Sequence, residues 1–166
     1  MPVDIKNPRT LIGSAVYMED NRYIGTVEEI ELPDLEFGTV ETGAGMKREQ
    51  VVPVLEPMKA RVKVSGDNYP MVKLFAKQVT ENATVFIRND TTTARHDSLD
   101  VTLKGNGKML KAPIPGAGEK METEIEINVD VYIYMINGQK YYEIDALNNV
   151  LVIDGKDLMA ETRANL

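Results

Sequence analysis

The longest regular pattern in the chain is Met121–Ile136, METEIEINVDVYIYMI, where apolar and polar positions alternate. Side chains of a strand point to opposite faces in turn. One face therefore carries Met121, Thr123, Ile125, Ile127, Val129, Val131, Ile133 and Met135. The other carries Glu122, Glu124, Glu126, Asn128, Asp130, Tyr132 and Tyr134. The pattern predicts one long strand, apolar inward and acidic or phenolic outward. At about 3.3 Å per residue it would run roughly 50 Å, too far for a small globule unless it bends or bulges. Asn137-Gly138 closes it with a strong hairpin signal, and Gln139–Ile144 returns.

Shorter patterns flank this hairpin. Residues 1–14 carry Pro2 and Pro8 with little periodicity and read as an arm, loose or laid on a neighbour. Residues 15–166 read as a single β domain. Strands are predicted over Ala15–Glu19, Tyr23–Leu32, Leu35–Glu41, Val51–Leu55 and Met58–Ser65, with Asp20-Asn21 as a turn and Pro33 at a bend or edge. Val62 and Val64 alternate with Arg61, Lys63 and Ser65, which gives that strand a basic outer face. Gly66-Asp67-Asn68 opens the one convincing helix, with Asp67 or Asn68 as cap and Pro70 in the first turn. Val72, Phe75, Ala76 and Val79 form its apolar stripe, with Lys73 and Lys77 facing water. Ala83–Arg88 follows as a strand and Asn89–Ser98 as a polar loop. Leu99–Leu110 reads as a hairpin turning at Gly105-Asn106-Gly107, and Ala112–Glu119 as a loop. After a turn at Asp145–Asn149 come a short strand, Val150–Ile153, and a short helix within Asp154–Leu166, with Leu158, Met159 and Thr162 on one side. The sum is mainly β: an antiparallel sandwich or barrel of eight to ten strands, one packed helix and a short C-terminal helix.

Composition narrows the function more by exclusion than by signature. The chain has 166 residues and 43% hydrophobic residues, enough for one domain with a real core. It has no Cys, hence no thiol nucleophile or disulfide. No apolar run approaches the ~18 residues of a membrane span, and Met1–Gly13 lacks the apolar core of a signal peptide, so synthesis in the cytoplasm without a membrane anchor is expected. A net charge of −7 argues against wrapping nucleic acid. No Trp and only three Phe disfavour an aromatic sugar platform.

The sites themselves are sparse. His96 is the single histidine. His96-Asp97-Ser98 has the letters of a triad, but sequence neighbours cannot make the spatial relay. Gly105–Lys108 echoes a phosphate loop, yet Thr102 and Met109 stand where Gly and Ser or Thr belong. Gly43-Ala44-Gly45 lacks a strand-to-helix context, and Asp154–Asp157 lacks calcium-loop spacing. No metal, cofactor or catalytic residue is expected. The acidic row Glu122, Glu124, Glu126 and Asp130 is expected to raise its own pKa values by mutual repulsion. It is a solvated face, a wall of a water-filled channel or a surface for a basic partner; periodicity leaves these open.

An ordered series of short motifs narrows the choice. Leu32-Pro33-Asp34-Leu35, Thr42-Gly43-Ala44-Gly45-Met46 and Glu56-Pro57-Met58-Lys59-Ala60 come first. Ala117–Lys120, Asn137-Gly138, Tyr142–Asp145, Asn148-Asn149-Val150, Ile153–Leu158 and Arg163–Leu166 follow. In order and spacing, over about residues 11–166, they resemble the major tail tube proteins of contractile-tailed phages and R-type bacteriocins. The resemblance implies a non-catalytic structural subunit located in a virion tail or tail-like particle. Hexameric rings would stack into a tube, long hairpins completing one inner barrel that leaves no edge unpaired. Implied partners are further copies of itself, a tail sheath protein, a tape-measure protein, a baseplate or tail initiator, and DNA passing through without specific binding. Thr42, Gly43, Ala44, Gly45, Met46, Lys47, Arg48, Glu49 and Gln50 resemble the loop that reaches an adjacent ring or subunit. Lys47-Arg48 departs from the acidic residue that many members have there, which would reverse the polarity of that contact. One acidic face, either Glu28 with Glu31 or the Glu122–Asp130 row, is expected to line the lumen and the other to meet the sheath. A type VI secretion tube protein and a monomeric β-sandwich binding module are the alternatives.

Overall fold

A computed structural model describes residues 10–18, 23–66, 68–92 and 96–166. The strands are β1 (Thr10–Met18), β2 (Tyr23–Glu31), β3 (Phe37–Thr42), β4 (Arg48–Leu55), β5 (Met58–Ser65), β6 (Thr84–Thr92), β7 (His96–Lys111), β8 (Glu122–Ile136), β9 (Gln139–Asp145), β10 (Val150–Ile153) and β11 (Lys156–Asp157). Helix α1 (Asn68–Glu81) lies between β5 and β6, and α2 (Ala160–Ala164) follows β11.

β8 is the hub. Its first half pairs with β5, from Ser65↔Glu122 to Met58↔Val129, and its second half with β9, from Val131↔Asp145 to Ile136↔Gln139. Its other edge pairs with β7 almost throughout. The antiparallel order β8-β5-β2-β1-β6-β7 therefore returns to β8 and closes a six-stranded barrel, from which β9, β10 and β11 continue outward. Closure requires strands to bend, and register shifts supply the bends: in β2 at Ile24 opposite Val16/Tyr17 and at Val27/Glu29, in β8 at Asp130 opposite Lys104/Gly105, and in β7 at Gly107/Met109. This is how a strand of 15 residues fits a small domain.

The core joins Val16, Ala60, Val62, Val85, Ile87, Val101, Leu103, Ile125, Ile127, Tyr132, Ile144 and Leu151. The alternation in β8 changes partway. Upstream of Asp130 the buried positions are Thr123, Ile125, Ile127 and Val129, together with Glu126; downstream they are Tyr132 and Ile136. Tyr132 is 1% exposed, not outward, and Met121 is 46% exposed, not inward. The Tyr132 hydroxyl shares a 2.8 Å hydrogen bond with Tyr142, and desolvation pushes its pKa far above the ordinary phenol range. Asn137 and Gly138 turn the β8–β9 hairpin at φ of 51° and 77°, as the Asn-Gly pair predicts.

Four expectations are corrected. β7 is one unbroken strand through Gly105-Asn106-Gly107. Its glycines serve close approach instead of a turn: a Cβ on Gly105 would lie 1.9 Å from the Asn128 carbonyl oxygen, and one on Gly107 2.8 Å from the Phe75 ring. The Asn89–Ser98 loop is mostly strand, since β6 runs to Thr92 and β7 begins at His96, pairing across Thr92↔His96. α1 turns a different face inward. Met71, Leu74 and Gln78 are buried with Phe75 beside them, while Val72 and Val79 are 38% and 57% exposed and Ala76 is also exposed. Asp154-Gly155 makes a left-handed turn into β11, so the expected short C-terminal helix is α2, with Leu158 and Met159 before it instead of on its face; Arg163 holds it by ion pairing with Asp157 and by a 2.8 Å bond to the Asn149 carbonyl. Thr10–Ser14 belong to β1; the remainder of the expected arm, like the turn at Asp20-Asn21 and the cap Asp67, lies outside the described residues.

Candidate functional site

Two surfaces gather the residues singled out by sequence. The first is an arm. Among the described residues β3 and β4 pair only with each other, as a separate two-stranded sheet. Phe37 and Leu55 anchor its base against the core, and the Glu56 N–H donates to the Glu36 carbonyl at 2.8 Å. Its tip holds all of Thr42–Glu49. Gly43 has φ of 125°, and a Cβ there would lie 2.3 Å from the Met46 carbonyl oxygen, so only glycine turns the chain here. Met46 stands 92% exposed. Lys47 pairs with Glu41 at 3.5 Å, the Arg48 Nε donates to Thr42 Oγ1 at 3.5 Å, and Thr39 Oγ1 donates to Glu49 at 2.6 Å. The basic pair at the tip is thus partly answered within the arm. The segment is also less of a loop than expected, because β4 begins at Arg48.

The second surface is a charged wall over β2, β5, β8 and β7. Register sets Glu31 opposite Arg61 and Arg61 opposite Glu126, with Glu29 opposite Lys63 and Lys63 opposite Glu124. Arg61 reaches Glu31 at 3.5 Å, Glu124 at 3.0 Å and Glu126 at 3.2 Å. Lys108 closes the far side of Glu126 at 2.8 Å, and Lys63 takes Glu122 at 2.7 Å. Glu28, at the β2 bulge, lies 3.5 Å from Lys120. Asp130 stands apart, half-buried, its carbonyl accepting the Ala146 N–H at 2.8 Å.

This geometry changes the electrostatics read from sequence. Hydrogen bonds from Lys108 and then Arg61 hold Glu126 below the usual carboxylate range, and bonding to Ser65 with the Lys120 charge does the same for Glu28. Mutual repulsion does not dominate, because a cation stands between carboxylates. Nor are Glu28 and Glu31 on one face and Glu122–Glu126 on another; β5 joins them into a single wall. The alternation of Arg61 and Lys63 was visible in the sequence, but the strand pairing that interleaves them with Glu124 and Glu126 was not. Gly105–Lys108 is part of this wall, not a phosphate loop. Among the described residues no three His, Cys, Asp or Glu side chains cluster as a metal site, and no helix is long and apolar enough to cross a membrane. His96 starts β7; its side chain lies outside the described residues.

Comparison with known proteins supplies a family. The sequence pattern of phage tail tube protein FII matches residues 8–166. No curated protein sequence matches the chain. Among solved structures, the sheath/tube terminator of an extracellular contractile injection system, PVC, in its extended state superposes with a TM-score of 0.59 at 12% identity, covering 79% of this chain and 99% of that chain. The PVC sheath–tube complex gives 0.58 at 14% identity over 79% and 93%. The tube-terminating cap of the anti-feeding prophage gives 0.59 at 15% identity over 81% and 95%. At these identities the structural matches establish a shared fold. The family match spans nearly the whole described barrel, and with it the chain belongs to the phage tail tube protein FII family, whose role is structural.

Proposed function

We propose that this chain is the repeating subunit of the inner tube of a contractile tail or tail-like injection particle. Six copies form a ring, rings stack, and the sheath packs outside. The conduit passes a tape-measure protein and then DNA, and a baseplate or initiator nucleates it. The work is mechanical, with no bond made or broken. The observation that carries this reading is the free-standing β3–β4 arm. A two-stranded hairpin is marginal in water, and this one leaves Val40, Met46, Val51 and Val54 largely exposed. Such an element makes physical sense when another subunit completes it. The charged wall lines the lumen in this reading. Six carboxylates (Glu28, Glu29, Glu31, Glu122, Glu124 and Glu126) against Lys59, Arg61, Lys63, Lys108, Lys111 and Lys120 leave it balanced in charge and firmly cross-braced. A wall whose cations are all answered by carboxylates offers DNA no net positive charge to stick to.

The test is electron microscopy over a concentration series, with and without an initiator, on the wild type and on a chain lacking Ala44–Glu49. Wild type should give rings or tubes. The deletion should give a folded subunit that no longer stacks. Stacked tubes from the deletion would remove the arm from the assembly. Tubes of E29K/E31K should retain DNA fragments that wild-type tubes release; equal release would place the wall elsewhere.

A further inference from the structure

Helix α1 carries apolar side chains on two sides, and only one of them is inside. Met71, Leu74 and Phe75 pack on the barrel with Gln78, which is 0% exposed and whose amide has no hydrogen-bond partner among the described residues. One residue further round, Tyr69, Val72 and Val79 are 62%, 38% and 57% exposed. Rolling the helix one position to bury the valines would expose Met71 and Leu74, so a lone subunit has no way to cover the outer stripe. The observed face makes sense if a second surface covers the outer stripe.

The arm has the matching deficit. Val40 pairs opposite Gln50, so alternation puts Val40, Val52 and Val54 on one face of the hairpin. Charge agrees as well. Lys73 and Lys77 flank the helix stripe, whereas the arm and its base carry Glu36, Glu41, Glu49 and Glu56 against Lys47 and Arg48. α1 packs on β7 and β8, neither of which pairs with the arm.

We propose that the Val40–Val52–Val54 face of one copy's arm docks on the Tyr69–Val72–Val79 stripe of α1 in the next copy. The contact is heterologous, so it generates closed rings or open stacks according to the rotation between copies. It rests on the tube reading above and adds the surface that receives the arm.

The chain has no Cys, so a pair of introduced ones is unique. The V54C/V72C double variant, assembled and treated with a short bismaleimide, should give a ladder of covalent oligomers, while V54C and V72C alone should run as monomers. V72E/V79E should raise the concentration for half-assembly at least tenfold with an unchanged melting temperature of the free subunit, since both sites are exposed. Tubes without a ladder would overturn the docking and leave the tube reading standing. A ladder in particles that are not tubes would keep the docking and remove the tube. A chain giving neither assembly nor ladder at any concentration would overturn both.

Discussion

Gly105→Ala tests whether the glycines of β7 exist for close packing. The new methyl carbon would sit 1.9 Å from the Asn128 carbonyl oxygen and 2.9 Å from its carbon, against a practical floor of 3.0 Å. The obstacle is backbone on the neighbouring strand, so no side chain can swing away. β7 and β8 must part by about 1 Å at the barrel's most extensively paired seam, a displacement at the upper end of overpacking costs, about 3 kcal/mol. Stiffening the unfolded chain returns about 0.4–1 kcal/mol. A net loss of roughly 2–2.5 kcal/mol lowers the melting temperature by about 4–10 °C for a chain of this size. Gly107→Ala meets the Phe75 ring at 2.8 Å instead. That ring is movable, so the net cost should stay near ~1 kcal/mol. Phe75→Leu should relieve it, the double variant being at least about 0.5 kcal/mol more stable than the sum of the singles. Urea unfolding followed by circular dichroism measures the four variants against wild type. A Gly105→Ala chain within about 0.5 kcal/mol of wild type, as ordinary surface substitutions are, would mean the glycines sit at an open turn and would refute the packing argument.

Two further outcomes are expected. Tyr132→Phe removes the 2.8 Å bond to Tyr142 while keeping the edge-to-face contact at 5.1 Å, so it should cost about 1 kcal/mol; no loss in urea would show the hydroxyl pair to be idle. Glu126 has a folded pKa depressed by Lys108 and Arg61, so its contribution is present above the unfolded value near ~4.3 and is lost as pH falls through the folded value. Below about pH 4.5 wild type should therefore lose stability more steeply than Glu126→Gln; parallel slopes would remove Glu126 from the wall's bracing.

What the sequence made legible was local. Met58–Ser65 and Val150–Ile153 are strands at the expected bounds, and Asn137-Gly138 turns as its residue types demand, because these depend on neighbours within a few positions. The misreadings all involve distant partners. Gly105 and Gly107 looked like a turn because Asn128 and Phe75, which need the space, lie elsewhere in the chain. In α1 the positions 72, 75, 76, 79 and 71, 74, 75, 78 both have helical spacing, and the apolar count favoured the stripe that the structure leaves outside. Glu122, Glu124 and Glu126 looked like an unrelieved negative face until register placed Arg61, Lys63 and Lys108 between and beside them. The arm tip Thr42–Glu49 was found from its glycines and from family resemblance, yet its isolation from the main sheet is a property of topology.

β5 must wait for β8. On a ribosome making about 5–20 residues per second, the 71 residues from Met58 to its partner Val129 take about 4–14 s. Throughout that interval the β5 edge that β8 will cover has no partner, and an open edge is a template for any identical chain emerging from the next ribosome. Lys59, Arg61 and Lys63 line the outer face of that edge. Two copies of β5 meeting antiparallel would oppose these cations to one another, so nascent chains repel where they are most adhesive. Later, Glu124 and Glu126 arrive on β8 and convert the repulsion into bracing. Arg61→Gln with Lys63→Gln should accordingly lower soluble yield during synthesis more than it lowers the melting temperature of the finished subunit; an unchanged yield would count against this role. The three cations act first as guards of an unfinished barrel and only afterwards as part of its wall.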